Sequence, residues 1–234
     1  MLRALAVVLF WAVGAIPVAI IGFPATFITG KIDLLYRMAM KVALAGVHFG
    51  GVKVEVIGRD ALDPKQTYVF MSNHVSNLDP PLLIPLIPPR TSVLVKKELF
   101  RIPLLAQAMR LGDLVPVDRK NRETAIASVR AAAEVVRRGI NMTVFPEGTR
   151  SRDGRLLPLK KGPFYLALET GCPVVPITIS GTHEAWPKGK FELRPTNVTV
   201  TFHRPIDPKT FTDRDALIEA VEDAIRSGLP EKYR

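Results

Sequence analysis

The charge-free run near the amino terminus constrains the fold more than any other feature of this sequence. Residues 4–30 of the 234 contain no Asp, Glu, Lys or Arg and are mostly apolar. At about 1.5 Å per residue, a helix of this length reaches across the roughly 30 Å hydrocarbon core of a bilayer. Pro17 and Pro24 each remove a backbone donor, so we expect a kinked helix.

A second apolar segment, residues 32–49, follows at once and is amphipathic. Its apolar positions include Leu34, Leu35, Met38 and Val42, while Arg37 and Lys41 lie elsewhere on the helix. We therefore predict that residues 1–50 form a helical membrane-anchoring segment. A spanning helix and a kinked helix dipping into one leaflet both fit, and a buried hairpin of a soluble protein is the alternative. A cleaved signal peptide is disfavoured because no small-x-small cleavage site follows.

From residue 51 onward the sequence alternates between strand and helix patterns. Helical spacing of apolar residues predicts helices over residues 122–138, 163–170 and 213–227. Such alternation predicts an α/β domain over residues 51–234, with a mostly parallel or mixed central sheet flanked by helices. Short β-rich runs lie at residues 53–57, 68–72, 92–95, 114–117, 142–145, 174–179 and 198–202.

The charge of the chain indicates an anionic partner. The net charge is +10, and residues 90–170 alone hold 16 Lys or Arg against 8 Asp or Glu. A basic surface of this kind attracts nucleic acid, an anionic membrane or phosphorylated small molecules, although a merely solvated face fits equally well. The single cysteine, Cys172, excludes an internal disulfide and a cysteine-rich zinc site.

The segment 72–80 (SNHVSNLDP) carries a candidate acid–base pair directly after a predicted strand. Pro80 suits the first turn of a helix, with Asp79 as its cap. A strand–turn–helix allows the Asp79 carboxylate to fold back onto the His74 imidazole. It would then fix the ring tautomer and leave the other nitrogen as a proton acceptor. On spacing alone, His74 ending a strand and Asp79 capping a helix is an equally economical interpretation.

The segment 144–151 (VFPEGTRS) also follows an apolar run and carries candidate anion-binding residues. Gly148 lets a ligand approach the backbone, and Arg150 offers a fork of donors that matches phosphate. Glu147 is able to bind a hydroxyl or position an arginine. Two further strand ends carry Lys97 and Arg119, at the edge where open α/β sheets bind ligands. Residues 175–177 (VPI) fit a core strand better than a site.

Taken together and in order, these segments resemble the motif blocks of the glycerolipid acyltransferases. The resemblance covers residues 50–205 and is nearest to the 1-acylglycerol-3-phosphate acyltransferases. It implies His74 as the general base and Asp79 as its orienting partner. It further implies an acceptor-phosphate and acceptor-site role for six residues, namely Lys97, Arg119, Glu147, Gly148, Thr149 and Arg150. Pro116 departs from the family pattern, where many relatives carry an aromatic residue.

The resemblance also implies the reaction and its partners. The acceptor would be lysophosphatidic acid, acylated at its sn-2 hydroxyl to phosphatidic acid, and the donor an acyl-CoA or acyl carrier protein thioester used as a co-substrate. It implies no cofactor and no metal, a cell-membrane location and an active site that faces the cytoplasm. Glycerol 3-phosphate or another lysophospholipid as acceptor stays open, and so does a non-enzymatic basic protein of the membrane surface. No nucleic-acid-binding motif is present.

Overall fold

A seven-stranded sheet forms the centre of the protein and runs in the order β1-β7-β6-β2-β5-β3-β4. The computed structural model describes residues 1–118 and 122–234, with Arg122 described by its backbone alone. All neighbouring strands are parallel except the β6–β7 pair, which is antiparallel. The strands are β1 Val52–Ile57, β2 Val69–Ser72, β3 Thr91–Lys96, β4 Val115–Val117, β5 Asn141–Val144, β6 Val174–Ser180 and β7 Thr196–Phe202.

Helices cover both faces of this sheet. The long amino-terminal helix comprises α1, a π-helical turn at Val18–Gly22, and α2. The π-helical turn lies between Pro17 and Pro24, neither of which donates a backbone N–H to the helix. The helices are α1 Leu2–Pro17, α2 Phe23–Thr29, α3 Asp33–Phe49, α4 Asp79–Leu83, α5 Pro103–Leu111, α6 Arg122–Arg137, α7 Gly162–Thr170, α8 Thr182–Ala185 and α9 Arg214–Ser227.

Alternation along the strands divides the core between the two faces. On β2, Phe70 packs into one cluster with α4 and the amino-terminal helices, while Val69 and Met71 pack into the other with α6, α7 and α9. This is the period-2 pattern of a strand that is buried on both sides. The helices α1, α3 and α4 therefore form one outer layer, and α6, α7 and α9 form the opposite one.

The helix Leu2–Thr29 pairs with α3 as a helical hairpin against the first of these layers. Ala4 and Val7 are fully buried in the same core cluster as β1, and the Trp11 indole N–H donates to the Ala43 carbonyl at 3.1 Å. Gly46 allows this approach, since a Cβ there would meet the Trp11 ring at 2.0 Å. The opposite side of the same helix exposes its apolar residues, Ile16, Ile20, Phe27 and Ile28 among them.

The predicted fold class is confirmed, with every predicted strand within two residues of its observed bounds. The three predicted helices are also present, with small shifts at their ends. The helix α5, which is nine residues long, was not predicted. The helix Leu2–Thr29 has 28 residues, long and apolar enough for membrane association, with only 17% of its most apolar window buried. The boundary near residue 50 stays a prediction.

Candidate functional site

The predicted motif segments meet at the carboxyl edge of the sheet. The parallel strands β5, β2 and β6 are neighbours, so the segments that leave their carboxyl ends lie side by side. These segments are residues 73–78 after β2, 145–151 after β5 and 181–182 after β6. Three stretches that are distant in sequence are thereby brought to one edge.

His74 and Asp79 are in direct contact at this edge. The His74 Nδ1 lies 2.7 Å from the Asp79 Oδ2. The same carboxylate oxygen accepts the backbone N–H groups of Val75 and Ser76, at 2.7 and 2.8 Å. The Asp79 side chain is completely buried, whereas His74 keeps 12% of its side chain exposed. The imidazole is therefore partly exposed at the surface, whereas the carboxylate that it contacts is inaccessible to solvent.

The expectation that Asp79 caps the following helix is wrong. Asp79 is the first residue of α4, Leu78 is the N-cap, and Pro80 follows at the second position. The carboxylate points back to the two preceding backbone N–H groups because Pro80 and Pro81 offer the helix start no N–H to cap. The turn 74–79 is consequently held around the carboxylate itself.

Thr182, at the start of α8, completes the surroundings of this carboxylate. Its hydroxyl donates to the Asp79 Oδ1 at 2.6 Å, and both side chains are fully buried. Since the Asp79 Oδ2 is an acceptor, the His74 Nδ1 must carry the proton, and Nε2 is left as the acceptor of a neutral ring. The ring also stacks on Phe145, with centroids 4.2 Å apart. Its orientation is therefore fixed from two sides.

Glu147 ties the β5 segment to the β2 segment. Its Oε1 accepts the backbone N–H of His74 at 2.5 Å, and its Oε2 accepts that of Leu157 at 2.8 Å. The residue is only 1% exposed. Burial raises the pKa of Glu147 from 4.5 to about 7, and the nearby Asp79 charge adds to the rise. The geometry makes Glu147 a fixed acceptor for backbone groups, so it positions His74.

Arg150 lies on the same side of the molecule as His74. Its guanidinium donates to the Asn77 side-chain oxygen, and Asn77 belongs to the turn between His74 and Asp79. The Lys188 ammonium donates to the Thr149 hydroxyl at 3.1 Å and to the Arg150 carbonyl at 2.6 Å. Two cations and a hydroxyl thus converge beside the imidazole, an arrangement suited to an anionic oxygen cluster.

Gly148 supplies the turn that makes this convergence possible. Its φ of 71° is left-handed, which is strained for any residue with a side chain. A Cβ at this position would meet only ordinary contact with the Lys160 side chain at 3.5 Å. Backbone conformation rather than space therefore favours glycine here.

The remaining predicted residues have different outcomes. Lys97 follows β3, two strands out from β2, and its ammonium pairs with the Asp118 carboxylate beside β4. It thus lies on the same edge but over the outer strands. Arg119 lies outside the described residues. The segment 175–177 is part of β6, with Val175 and Ile177 fully buried in the core.

Sequence reasoning missed four contributors, namely Asn77, Phe145, Thr182 and Lys188. Asn77 and Phe145 lie inside motif segments, but nothing in their residue types distinguishes them from ordinary turn and core residues. Thr182 and Lys188 reach the site from over 100 and about 38 positions away in the chain, respectively. Thr182 follows β6 by two residues, which is a weak signal that it lies at this edge, whereas Lys188 lies beyond α8 and carries no such signal.

A cavity of about 420 Å³ opens beside the segment Phe145–Thr149. Its other walls come from β3, β4, α6 and the start of α7, and are largely apolar, with Leu94, Val117 and Val129 among them. A cavity of this size with few polar groups is typical of a small-molecule site. Among the described residues, no group of three or more His, Cys, Asp or Glu side chains is placed to hold a metal.

Known proteins with a similar sequence and fold identify the family of this chain. A family model described as acyltransferase matches residues 53–180, which include the His74–Asp79 turn, the Glu147–Arg150 segment and β6. The chain belongs to the acyltransferase family. The acyltransferase domain therefore contains every residue of the site except Thr182 and Lys188, which follow its matched end.

Two sequence relatives and one solved structure are similar to this acyltransferase. A 1-acyl-sn-glycerol-3-phosphate acyltransferase from Limnanthes douglasii is 37% identical over 187 residues, which are 79% of this chain and 66% of the relative. The chain thus spans just under two thirds of that relative. One from Mus musculus is 28% identical over 92% of this chain and 76% of the relative. The crystal structure of the LPA acyltransferase PlsC from Thermotoga maritima superposes with a TM-score of 0.79, at 28% identity over 97% of this chain and 95% of that one.

The buried Glu147 predicts a specific dependence of stability on pH. Because its pKa rises from 4.5 to about 7 on folding, the native state holds a proton that the unfolded chain releases between these values. This contribution is therefore fully present below pH 4.5 and is lost as the pH rises through 7, by about 3 kcal/mol at roughly 1.4 kcal/mol per unit. Denaturation of wild type and Glu147→Gln across this range measures it. As the pH rises from 4.5 to 7, wild type should lose stability relative to Glu147→Gln. Parallel plots of unfolding free energy against pH would contradict the assignment.

Proposed function

We propose that this acyltransferase transfers a fatty acyl group from a thioester to the sn-2 hydroxyl of lysophosphatidic acid, giving phosphatidic acid. One observation carries the proposal. The His74–Asp79 pair and the Arg150 segment are hydrogen-bonded to each other through Asn77 and Glu147. A base that accepts a proton from a hydroxyl therefore stands next to cations that bind a phosphate, and lysophosphatidic acid carries both groups on one glycerol.

In this mechanism His74 acts as the general base. Its Nε2 accepts the proton of the acceptor hydroxyl as the hydroxyl oxygen attacks the thioester carbonyl carbon. The new ester C–O bond forms, the C–S bond breaks, and the proton on His74 passes to the departing sulfur to give a thiol. Asp79 stabilises the imidazolium that exists between these two proton transfers. The substrate hydroxyl takes the place that a serine side chain has in a catalytic triad.

Arg150 and Lys188 are the proposed phosphate ligands, with Thr149 beside them. The Arg150 guanidinium presents a planar set of donors, and its partly exposed position leaves it accessible to a ligand. Lys188 holds the backbone of the same segment and adds a second positive charge. The roles proposed for Lys97 and Arg119 rest on the family resemblance, and Lys97 meets the acceptor only if its pair with Asp118 opens.

The proposed partners follow from the chemistry of the reaction. The donor is an acyl-CoA or acyl carrier protein thioester, used as a co-substrate without a further cofactor. The lipid bilayer holds the acceptor, and the exposed apolar side of the helix Leu2–Thr29 supports membrane association of the enzyme. Both thioester donors are soluble in the cytoplasm, so we propose a cell-membrane enzyme whose active site faces that compartment.

Glycerol 3-phosphate and larger lysophospholipids share the phosphate and the hydroxyl, and they are the competing acceptors. The lipid-facing hairpin favours an acceptor that resides in the membrane. Assays of purified protein with each acceptor and a panel of thioesters separate these reactions. Lysophosphatidic acid should give the highest kcat/KM, and a preference for glycerol 3-phosphate would overturn the acceptor assignment.

His74→Ala should abolish measurable turnover while the protein stays folded. General-base assistance contributes a factor of about 10² to 10⁴ in rate. His203→Ala is a matched control, because His203 bonds to Thr178 and follows β7 at the opposite edge of the sheet. Turnover is measured from the thiol released, and folding from circular dichroism. Near-normal turnover in His74→Ala would defeat the mechanism.

Arg150→Ala should raise the KM for lysophosphatidic acid more than it lowers kcat. The loss of a charge-assisted bond to phosphate corresponds to about 1.5–3 kcal/mol, or a factor of roughly 10 to 150. Arg59→Ala is the control, since Arg59 follows β1 at the far edge of the sheet and pairs only locally with Asp60. An unchanged acceptor KM in Arg150→Ala would remove the phosphate role.

A further inference from the structure

The segment between β3 and α5 exposes apolar side chains to an unusual degree. Leu99, Ile102, Leu104 and Leu105 are 40%, 50%, 58% and 42% exposed, and we refer to these four as the α5 patch. Isolated exposed apolar residues are ordinary on protein surfaces, but four within seven positions form a contiguous area. The helix α5 still has a protein-facing side, on which Ala106 and Met109 are buried. Leu104 and Leu105 therefore lie on the outer side of an amphipathic helix, and Leu99 and Ile102 lie in the 3₁₀ turn and cap that precede it.

The α5 patch lies on the same face of the sheet as the amino-terminal hairpin. An apolar groove of about 450 Å³ separates α5 from the hairpin, and both contribute its walls. Ile102, Leu104 and Leu105 line one side, and Ala19 and Phe23 line the other. The residues next to these on the hairpin, Ile20 and Ile21, are 68% and 51% exposed. The apolar surface is thus continuous from the hairpin to α5.

The charges around the α5 patch complement an anionic surface. Arg101 and Arg110 are exposed at the two ends of the segment, and the exposed Lys96 precedes it. The helix α5 contains no acidic residue, and the nearby Glu98 lies 3.5 Å from the Lys96 ammonium. Apolar side chains flanked by arginine and lysine are the pattern of segments that lie in the headgroup region of a bilayer.

We propose that the α5 patch is a second membrane-contacting surface, within the catalytic domain itself, that inserts into the same leaflet as the hairpin. This inference rests on the membrane association included in the proposed function. The occupant is an anionic lipid bilayer, which the continuity with the hairpin and the flanking cations both favour. Two contacts on one face fix the tilt of the domain, where a hairpin alone leaves it free to pivot.

The consequence for the active site follows from the position of β3. The strand β3 ends at Lys96 on the carboxyl edge of the sheet, and the α5 patch begins three residues later. Leu94 of the same strand lines the cavity next to Glu147 and Gly148. That cavity opens towards α6 in the opposite layer, so lipid contact at the patch brings the bilayer to the β3 end of the carboxyl edge rather than over the cavity.

Fluorescent probes on single cysteines test the proposal directly. The natural Cys172 is first replaced by Ala, although burial raises the pKa of its thiol to about 11 and makes it a poor target. Leu104→Cys is compared with Ile126→Cys, whose site is 48% exposed on α6 in the opposite layer. Ile20→Cys on the hairpin is the positive control. Each variant carries an environment-sensitive dye and is reconstituted into phosphatidylcholine–phosphatidylglycerol vesicles with nitroxide-labelled lipids.

The dye at position 104 should shift to the blue and lose most of its emission to nitroxide lipids, as at position 20, while the dye at 126 does neither. Quenching at 20 with none at 104 would overturn the proposal and leave hairpin anchoring intact. Quenching at neither position would overturn both. A blue shift at 104 without lipid that grows with protein concentration would assign the patch to a second copy of the chain. The dye emission does not depend on turnover, so a failure of the proposed acyl transfer would leave this measurement unchanged.

Discussion

The buried carboxylate of Asp79 is the interaction on which the active edge depends. It accepts from two backbone N–H groups, the Thr182 hydroxyl and the His74 imidazole, and no part of its side chain reaches solvent. A buried acceptor of this kind is costly unless its partners are all present. The partners come from the turn that follows β2 and from α8, so the turn 74–79 and the end of β6 must pack together before the imidazole is oriented. Folding of this edge therefore also orients the His74 ring.

The sequence predicts the sheet and the His74–Asp79 pair because both are local patterns. Apolar runs such as residues 142–145 are short enough to be strands, and a strand–turn–helix brings positions five apart into contact. Thr182 and Lys188 are different, since they reach the site only because β6 pairs with β2. No spacing rule connects them to His74 without the strand order. The same reason hides the role of Asn77, whose bond to Arg150 depends on β2 and β5 being neighbours.

The two buried carboxylates of this edge, Asp79 and Glu147, make different contacts. Asp79 contacts the imidazole, whereas Glu147 bonds, within the described part of the chain, to the backbone N–H groups of His74 and Leu157. Glu147 consequently joins the segment after β5 to the segment after β2. Burial raises its pKa to about 7. The positive charges lie further out, on Arg150 and Lys188, at the mouth of the edge rather than in its interior. In the proposed mechanism, phosphate binding and proton transfer are thereby separated by a few side chains.

The central claim is that Asp79 holds His74 as a neutral ring protonated at Nδ1, with Nε2 as the proton acceptor. Nitrogen-15 NMR of the histidine side chains distinguishes the two neutral tautomers by the chemical shifts of their protonated and unprotonated nitrogens. For the neutral ring we predict a protonated Nδ1 and an unprotonated Nε2 in His74, and a loss of this preference in Asp79→Ala. A His74 ring protonated at Nε2 in the wild-type protein would contradict it.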